Sequence, residues 1–399
     1  MTTPTPLPLI PNDTPRLQAR ASGMFAALLL ALMAPAALAQ DADSAWKFSG
    51  DLRGGYFASE RTARDGSQSD DDAFNARLRV ALQRGFAGNW TFRTRAAGRF
   101  SSEQDGTDIY LRGYAPTNVG TEFGNVTLDE AYLGYSAPGD GMRVRIGRFQ
   151  TGFAVPGVAS KGLDRNDSPN IDVNWTDGVH LDLPVANDWR GHVIAQYRHR
   201  RGSGGVARSP LDFSDSDSRA SLFLGLENNQ RLGPVDHRML SLTWMPSSLA
   251  DQGTANASRE DYLAIDARVA GTWPIRDDGL RLVAGAEVGY ALNTPASAVL
   301  GTGQRGDSDG LAWQLQASLY DIAPGHHLGV AYGRAGAGWL ISPDFRPNDA
   351  LAEIRYQWRV NPKLSFEARI RERKEIEIPA SARRARVDDD FYLRASIKF

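Results

Sequence analysis

The chain closes on Phe391-Tyr392-Leu393-Arg394-Ala395-Ser396-Ile397-Lys398-Phe399, in which Phe391, Leu393, Ala395, Ile397 and Phe399 alternate with Tyr392, Arg394, Ser396 and Lys398. Successive side chains of a strand point to opposite faces, so a period of two predicts a strand with one apolar and one polar face. The same pattern recurs upstream. Trp46, Phe48, Gly50, Leu52, Gly54 and Tyr56 alternate with Lys47, Ser49, Asp51 and Arg53. Phe74, Ala76, Leu78, Val80 and Leu82 alternate with Asn75, Arg77, Arg79 and Gln83. Leu280 to Tyr290, Leu311 to Leu319 and Ala352 to Val360 repeat it, and helical periodicity is nearly absent. About sixteen such segments can be counted, most of about 10–14 residues, the length that carries a tilted strand across a bilayer. Strands of soluble sandwiches average about 5–6 residues.

The connections predict how these strands are joined. Short turns are expected at 85–88, 138–141, 186–188, 232–236, 276–279, 322–325 and 361–363. Long polar loops are expected at 59–72, 102–124, 150–173, 201–217, 247–259, 293–309, 336–349 and 375–387, alternating with the short turns. Alternating short turns and long loops belong to up-and-down barrels that cross a membrane, whereas Greek-key sandwiches mix connection lengths. An even strand number also lets the sheet close without an unpaired edge in lipid. The expected fold is therefore all-β: a transmembrane antiparallel up-and-down β-barrel of about 16 strands. Aromatic positions agree with two interfacial girdles. Trp46, Phe48, Trp90, Trp189, Trp273, Trp358 and Phe399 fall at the short-turn ends, and Tyr56, Phe74, Phe100, Trp175, Tyr197, Trp244, Tyr290, Trp313, Tyr332 and Phe391 toward the loop ends.

Composition narrows the function classes. The 399 residues include no Cys, so thiolate metal sites, disulfides and Cys nucleophiles are excluded, and a formal charge of −2 gives no basic balance for nucleic acid. The apolar run Met24–Ala39 follows Arg16 and Arg20 and ends Ala37-Leu38-Ala39, which predicts a secretory signal peptide over 1–39 and a mature barrel over 40–399.

At this point the chain resembles the bacterial outer-membrane porins. The Tyr392-x-Arg394-x-Ser396-x-Lys398-Phe399 strand is similar to their barrel-assembly signal, and Val144-Arg145-Ile146-Gly147-Arg148-Phe149-Gln150-Thr151-Gly152-Phe153 to the strand end before their constriction loop. Trp175-Thr176-Asp177-Gly178 resembles the strand that follows that loop. The Pro-Glu-Phe-Gly-Gly tip of enterobacterial porins is replaced by Val155-Pro156-Gly157, and there is a distant likeness to phosphate-selective porins. The resemblance implies that 150–173 folds into the lumen, that the barrel assembles as a homotrimer, and that it sits in the outer membrane of a Gram-negative bacterium. It also implies recognition of Phe399 by the barrel-assembly machinery and contact with outer-membrane lipid and lipopolysaccharide.

Alternation places Arg77, Arg79, Arg93, Arg95, Arg99, Arg143, Arg145, Arg369 and Arg371 on the inner wall, with Asp51, Glu130, Asp182, Glu227, Asp266, Glu287, Glu353 and Glu367 as inward acids. A basic wall favours anions. The expected function is a water-filled channel for passive diffusion of small hydrophilic solutes with a mild anion preference; a substrate-specific channel is the alternative. The competing reading of the arginines is pairing with loop carboxylates, which would stiffen the wall. Within the loop, Lys161, Asp164, Arg165 and Asp167 are the expected constriction residues, facing Arg77, Arg79, Arg93 and Arg95. His180, His192, His199, His237, His326 and His327 read as solvated turn residues, and adjacent His326 and His327 point to opposite faces. Asp70–Asp72 and Asp388–Asp390 read as solvated loops. No metal site, cofactor or catalytic triad is expected. A barrel phospholipase or protease and a plugged structural barrel are the remaining alternatives.

Overall fold

A computed structural model describes residues 46–86, 88–104, 111–112, 123–139, 141–164, 175–186, 188–198, 210–249, 259–300 and 307–399. The strands are β1 (Lys47–Thr62), β2 (Gln68–Phe86), β3 (Trp90–Ser101), β4 (Leu111–Arg112), β5 (Val126–Ser136), β6 (Arg143–Phe149), β7 (Thr176–Ala186), β8 (Trp189–Tyr197) and β9 (Ala220–Asn228). They continue as β10 (Val235–Leu249), β11 (Glu260–Pro274), β12 (Arg281–Ala291), β13 (Leu311–Ala323), β14 (His326–Ala335), β15 (Asp349–Arg359), β16 (Leu364–Glu375) and β17 (Val387–Lys398). All but the two-residue β4, which lies parallel beside β5, are antiparallel neighbours in chain order. β17 pairs with β1 from Asp51↔Lys398 to Thr62↔Val387 and closes the sheet into a sixteen-stranded barrel. At the seam Gly50 and Phe399 exchange backbone hydrogen bonds of 2.8 and 3.1 Å, and the Phe399 ring covers Gly50 so closely that a Cβ there would meet it at 2.4 Å.

Alternation sorts the two faces as the sequence predicts. Leu240, Leu315, Ile354 and Ile370 are exposed on the outside, whereas Met239, Gln314, Glu353 and Arg369, each their neighbour on the same strand, are buried inside. An apolar exterior over a polar interior suits a sheet whose outer solvent is hydrocarbon. No helix among the described residues is long and apolar enough to cross a membrane. The short connections are tight: Asn89 and Asp188 take φ of 65° and 64°, the left-handed conformation that Asn and Asp tolerate in hairpin turns.

Several expectations are corrected. The loop expected at 59–72 is a turn at 63–67 capping a ladder that runs from Lys47↔Gln83 to Thr62↔Gln68. Asp70–Asp72 therefore lie on β2 and Asp388–Asp390 on β17. Polar composition marks where water begins and carries no information on where hydrogen-bonded pairing ends. Trp175, expected in the outer girdle, is buried, with the Arg148 guanidinium 4.2 Å from its ring. It precedes β7, outside the strand whose alternation was extrapolated to it.

The inner wall is not uniform. On β12 and β14 the inward positions carry Gly285 and Gly289, and Gly329 and Gly333. A Cβ at Gly285 would meet Val155 at 2.3 Å, one at Gly289 would meet Trp339 at 2.3 Å, and one at Gly333 would meet Phe345 at 2.8 Å. These glycines are seats for two segments that leave the rim and pack inside, 150–164 and 336–348. Trp339, Leu340, Ile341 and Phe345 join Leu163, Tyr262 and Leu351 in one buried apolar cluster. The loop 336–349, expected only as a polar connection, is thus a second inward segment. Overpacking a fitted contact costs about 1–3 kcal/mol. Gly289→Leu is therefore expected to lower barrel stability by about that amount, read as a lower unfolding midpoint by heat-dependent gel mobility, while Gly85→Ala, whose Cβ would meet nothing nearer than 4.0 Å, serves as a control for the assay.

Candidate functional site

The site is the inner wall with the two segments fastened to it. The backbone N–H of Val158 donates to Ser318 Oγ at 2.9 Å, Gln314 Nε2 donates to the Lys161 carbonyl at 2.9 Å, and the Leu163 N–H donates to Glu287 Oε2 at 3.0 Å. The two segments also join each other: the Gly162 N–H donates to Asp344 Oδ2 at 3.0 Å, and Trp339 Nε1 donates to the Leu163 carbonyl at 3.0 Å.

Two of the expected constriction residues are fastenings. Lys161 is fully buried, with Nζ 2.9 Å from Glu353 Oε2. Burial, reinforced by Arg355, pulls the Lys161 ammonium down to about 8 against the opposing pull of Glu353. Asp164 is ion-paired with Arg268, whose Nη2 also lies 3.0 Å from Asp266 and 2.8 Å from Glu287. Oxygens of Asp164, Asp266 and Glu287 come within 4.8 Å of one another, a spacing that could hold a cation, but the guanidinium already contacts all three. Arg165 and Asp167 lie outside the described residues. Lys161 and Asp164 turn toward β11, β12 and β15 rather than across to Arg77, Arg79, Arg93 and Arg95.

Those arginines, on β2 and β3, belong to a row on the other arc of the barrel that continues through Arg53 on β1 and Arg394 on β17 to Arg369, Arg371 and Arg373 on β16. Arg77 donates to Asp51 Oδ1 at 2.9 Å, Arg79 lies 3.0 Å from Asp129, Arg95 donates to Asp129 Oδ1 at 2.9 Å, and Arg93 donates to Glu130 Oε2 at 2.5 Å. Arg394 donates to Glu367 Oε1 at 2.8 Å, and Arg371 to Asp390 Oδ2 at 2.6 Å. Asp390 also holds Arg369 and lies 3.8 Å from Arg373. The pairing reading of the arginines is therefore present in the geometry, with carboxylates that belong largely to the wall itself. Arg99 stacks its guanidinium 4.0 Å from the Phe123 ring. Arg143 sits at the short-turn rim, 2.5 Å from Asp182. Arg145 reaches the Gln150 carbonyl at 2.9 Å and His180. At the long-loop rim a cavity of about 700 Å³ is bordered by Arg61, Arg346, Arg369, Arg371, Arg373 and Arg386, with Asp388 to Asp390 beside them.

Asp129 is missing from the acids inferred by alternation. The β3–β5 register slips between Arg95↔Glu130 and Ala96↔Leu128, a bulge that turns both Asp129 and Glu130 inward. Strict period-two counting sends one of any two adjacent residues outward, so it had no means of placing both inside. The histidines are also corrected: His180, His192 and His237 are buried on the inner wall, not solvated in turns. His326 and His327 do face opposite ways, His326 stacked at 5.4 Å on Trp358 and His327 buried inside.

The fold and wall define a closed sixteen-stranded antiparallel barrel with an apolar exterior and a charged, partly filled interior. No protein-family model matches the chain, and no curated protein matches it in sequence. Among solved structures, OprB of Pseudomonas putida superposes with a TM-score of 0.57 at 10% identity, covering 89% of this chain and 94% of that one. OmpF of Salmonella typhi, solved with daunomycin, gives 0.53 at 9% identity, covering 90% and 98%. OpdQ of Pseudomonas aeruginosa gives 0.50 at 14% identity, covering 89% and 98%. At such identities the likeness is one of fold.

Removing one partner of a buried ion pair leaves an uncompensated charge and costs about 3–5 kcal/mol, whereas replacing both partners with apolar groups is often close to neutral. Glu353→Leu, which strips buried Lys161 of its carboxylate and takes one from Arg355, is expected to destabilise the barrel by about that amount, and Lys161→Met, which leaves Glu353 paired with Arg355 at 2.8 Å, to cost less, measured by denaturant midpoints in detergent.

Proposed function

We propose that the protein is an outer-membrane porin, a water-filled channel for passive diffusion of small hydrophilic solutes with a mild anion preference. The observation that carries this reading is the division of the inner wall. The inward segments fasten mainly to β10–β15, whereas the arginine row lines the arc from β16 through β17 and β1 to β3. Fixed guanidinium groups along an aqueous path raise the local concentration of anions and lower that of cations. Their carboxylate partners temper the effect, which is why the preference is mild. The six arginines around the cavity at the long-loop rim favour, as a second reading, a channel selective for a particular anionic solute.

The same proposal places a cleaved signal peptide over 1–39, the short turns on the periplasmic side, a homotrimer as the assembled form, lipopolysaccharide around the long-loop rim and the barrel-assembly machinery at Phe399. It assigns the protein no enzymatic activity. The fold of OprB and OmpF, which the chain shares, supports the membrane setting.

Reversal potentials across planar bilayers in a salt gradient test the reading. The expected sign is that of an anion-preferring pore, and Arg369→Gln with Arg371→Gln is expected to lower the anion-to-cation permeability ratio by about twofold. A cation-selective wild-type pore overturns the anion preference, and an absence of conductance overturns the channel.

A further inference from the structure

Four inward side chains on neighbouring strands form a hydrogen-bonded chain that channel formation does not require. Arg145 Nη2 on β6 lies 2.7 Å from His180 Nδ1 on β7. His180 Nε2 lies 3.3 Å from His192 Nδ1 on β8, and His192 Nε2 lies 3.1 Å from Glu227 Oε2 on β9. Chemistry fixes the direction of every bond. A guanidinium only donates, so His180 Nδ1 accepts and its single proton sits on Nε2. That Nε2–H donates to His192 Nδ1, so His192 carries its own proton on Nε2 and donates it to the Glu227 carboxylate. Both imidazoles are neutral, and each has its one donor and one acceptor in use.

A further proton has no place in this arrangement. Added to His180, it sets an N–H against the Arg145 guanidinium; added to His192, it sets an N–H against the Nε2–H of His180. The surrounding groups make protonation a realistic event. Glu227 attracts an imidazolium at His192, and Asp182, directly across from His192 in the β7–β8 register, adds a second carboxylate that Arg143 and Arg190 partly neutralise at 2.5 and 2.7 Å. His237 on β10 lies 3.6 Å from the other Glu227 oxygen and holds Asn229 at 2.7 Å. Arg145 is the charge that opposes protonation.

The chain also bears load from the inward segment. Phe153, at the stem of 150–164, stacks on Phe223 with centroids 5.0 Å apart and planes at 15°, and lies 5.1 Å from the His192 ring. Phe149, where β6 ends and the stem begins, stacks on His180 at 6.1 Å. We infer that the Arg145–His180–His192–Glu227 chain is a pH-sensitive latch: acidification through the imidazole range breaks it, frees Phe153 and loosens the stem of the inward segment. The far end of that segment stays fastened through Lys161 and Asp164, so the stem moves while the barrel stays intact. The effect on solute flow rests on the channel reading above; the motion itself does not.

A test independent of conduction follows from the absence of Cys, since a single introduced thiol labels one position. A nitroxide on Ala154→Cys, in full-length mature protein in detergent, is expected to be immobile at pH 7.5 and to gain mobility on acidification to pH 5. The gain is expected to vanish with His180→Gln or His192→Gln and to persist with His326→Gln. Where a histidine variant does not give a folded, heat-modifiable barrel, Glu227→Gln serves: removing the carboxylate that favours the imidazolium is expected to lower the midpoint by about half a pH unit or more. A label that stays immobile to pH 5, mobility that rises equally in folded histidine variants, or an unshifted midpoint in Glu227→Gln overturns the latch. Conductance is then recorded over the same pH range. A mobile stem in a non-conducting barrel overturns the channel and leaves the latch standing.

Discussion

A sheet in hydrocarbon cannot leave a row of backbone N–H and C=O groups unpaired, because each unmet group costs several kcal/mol where no water is available. The β1–β17 pairing meets that demand here, and everything else depends on it. Closure gives the wall an inside and an outside, and the two-residue period then assigns each side chain to lipid or lumen. It also explains the contact of Phe399 with Gly50, since the seam strand must end without a gap and only a residue lacking a Cβ lets the aromatic ring lie on it.

Within the closed wall, side-chain volume decides where the lumen is filled. Glycines on the inner face of β12 and β14 let Val155, Trp339 and Phe345 approach the backbone, and the apolar cluster of Leu163, Tyr262, Trp339 and Phe345 gives the two inward segments a common core. Long arginines on β16 to β3 occupy the opposite arc. The barrel is therefore split lengthwise into a packed half and a charged half, and this division, rather than net charge, supports the proposed solute path.

The charged half is also a structural network. Buried guanidinium groups are held by Asp51, Asp129, Glu130, Glu367 and Asp390, and the fastenings of the inward segment use the same device with Lys161–Glu353 and Asp164–Arg268. Such pairs repay their desolvation only when both partners are present, so they specify position more than they add stability. The neutral histidine chain differs in kind, because its members fit together in only one protonation state.

Alternation along single strands and connection length were enough to predict the closed barrel, its strand number and the inward side of Arg77, Arg79, Arg93 and Arg95, because each of these follows from local period or connection length, whereas an inward course for 150–173 was only what the resemblance of 144–153 and 175–178 to porin segments implied. The sequence also carries a sign of the packed interior in the glycines at 285, 289, 329 and 333, whose common inward side marks the seats of 150–164 and 336–348. What only the tertiary structure decided are relations across the wall: the bulge that turns Asp129 inward beside Glu130, the capture of Lys161 by Glu353 and of Asp164 by Arg268, and the alignment of Arg145, His180, His192 and Glu227. These depend on inter-strand register and on how far loops reach, and both are set by pairing between residues far apart in the chain, which no period within one strand encodes.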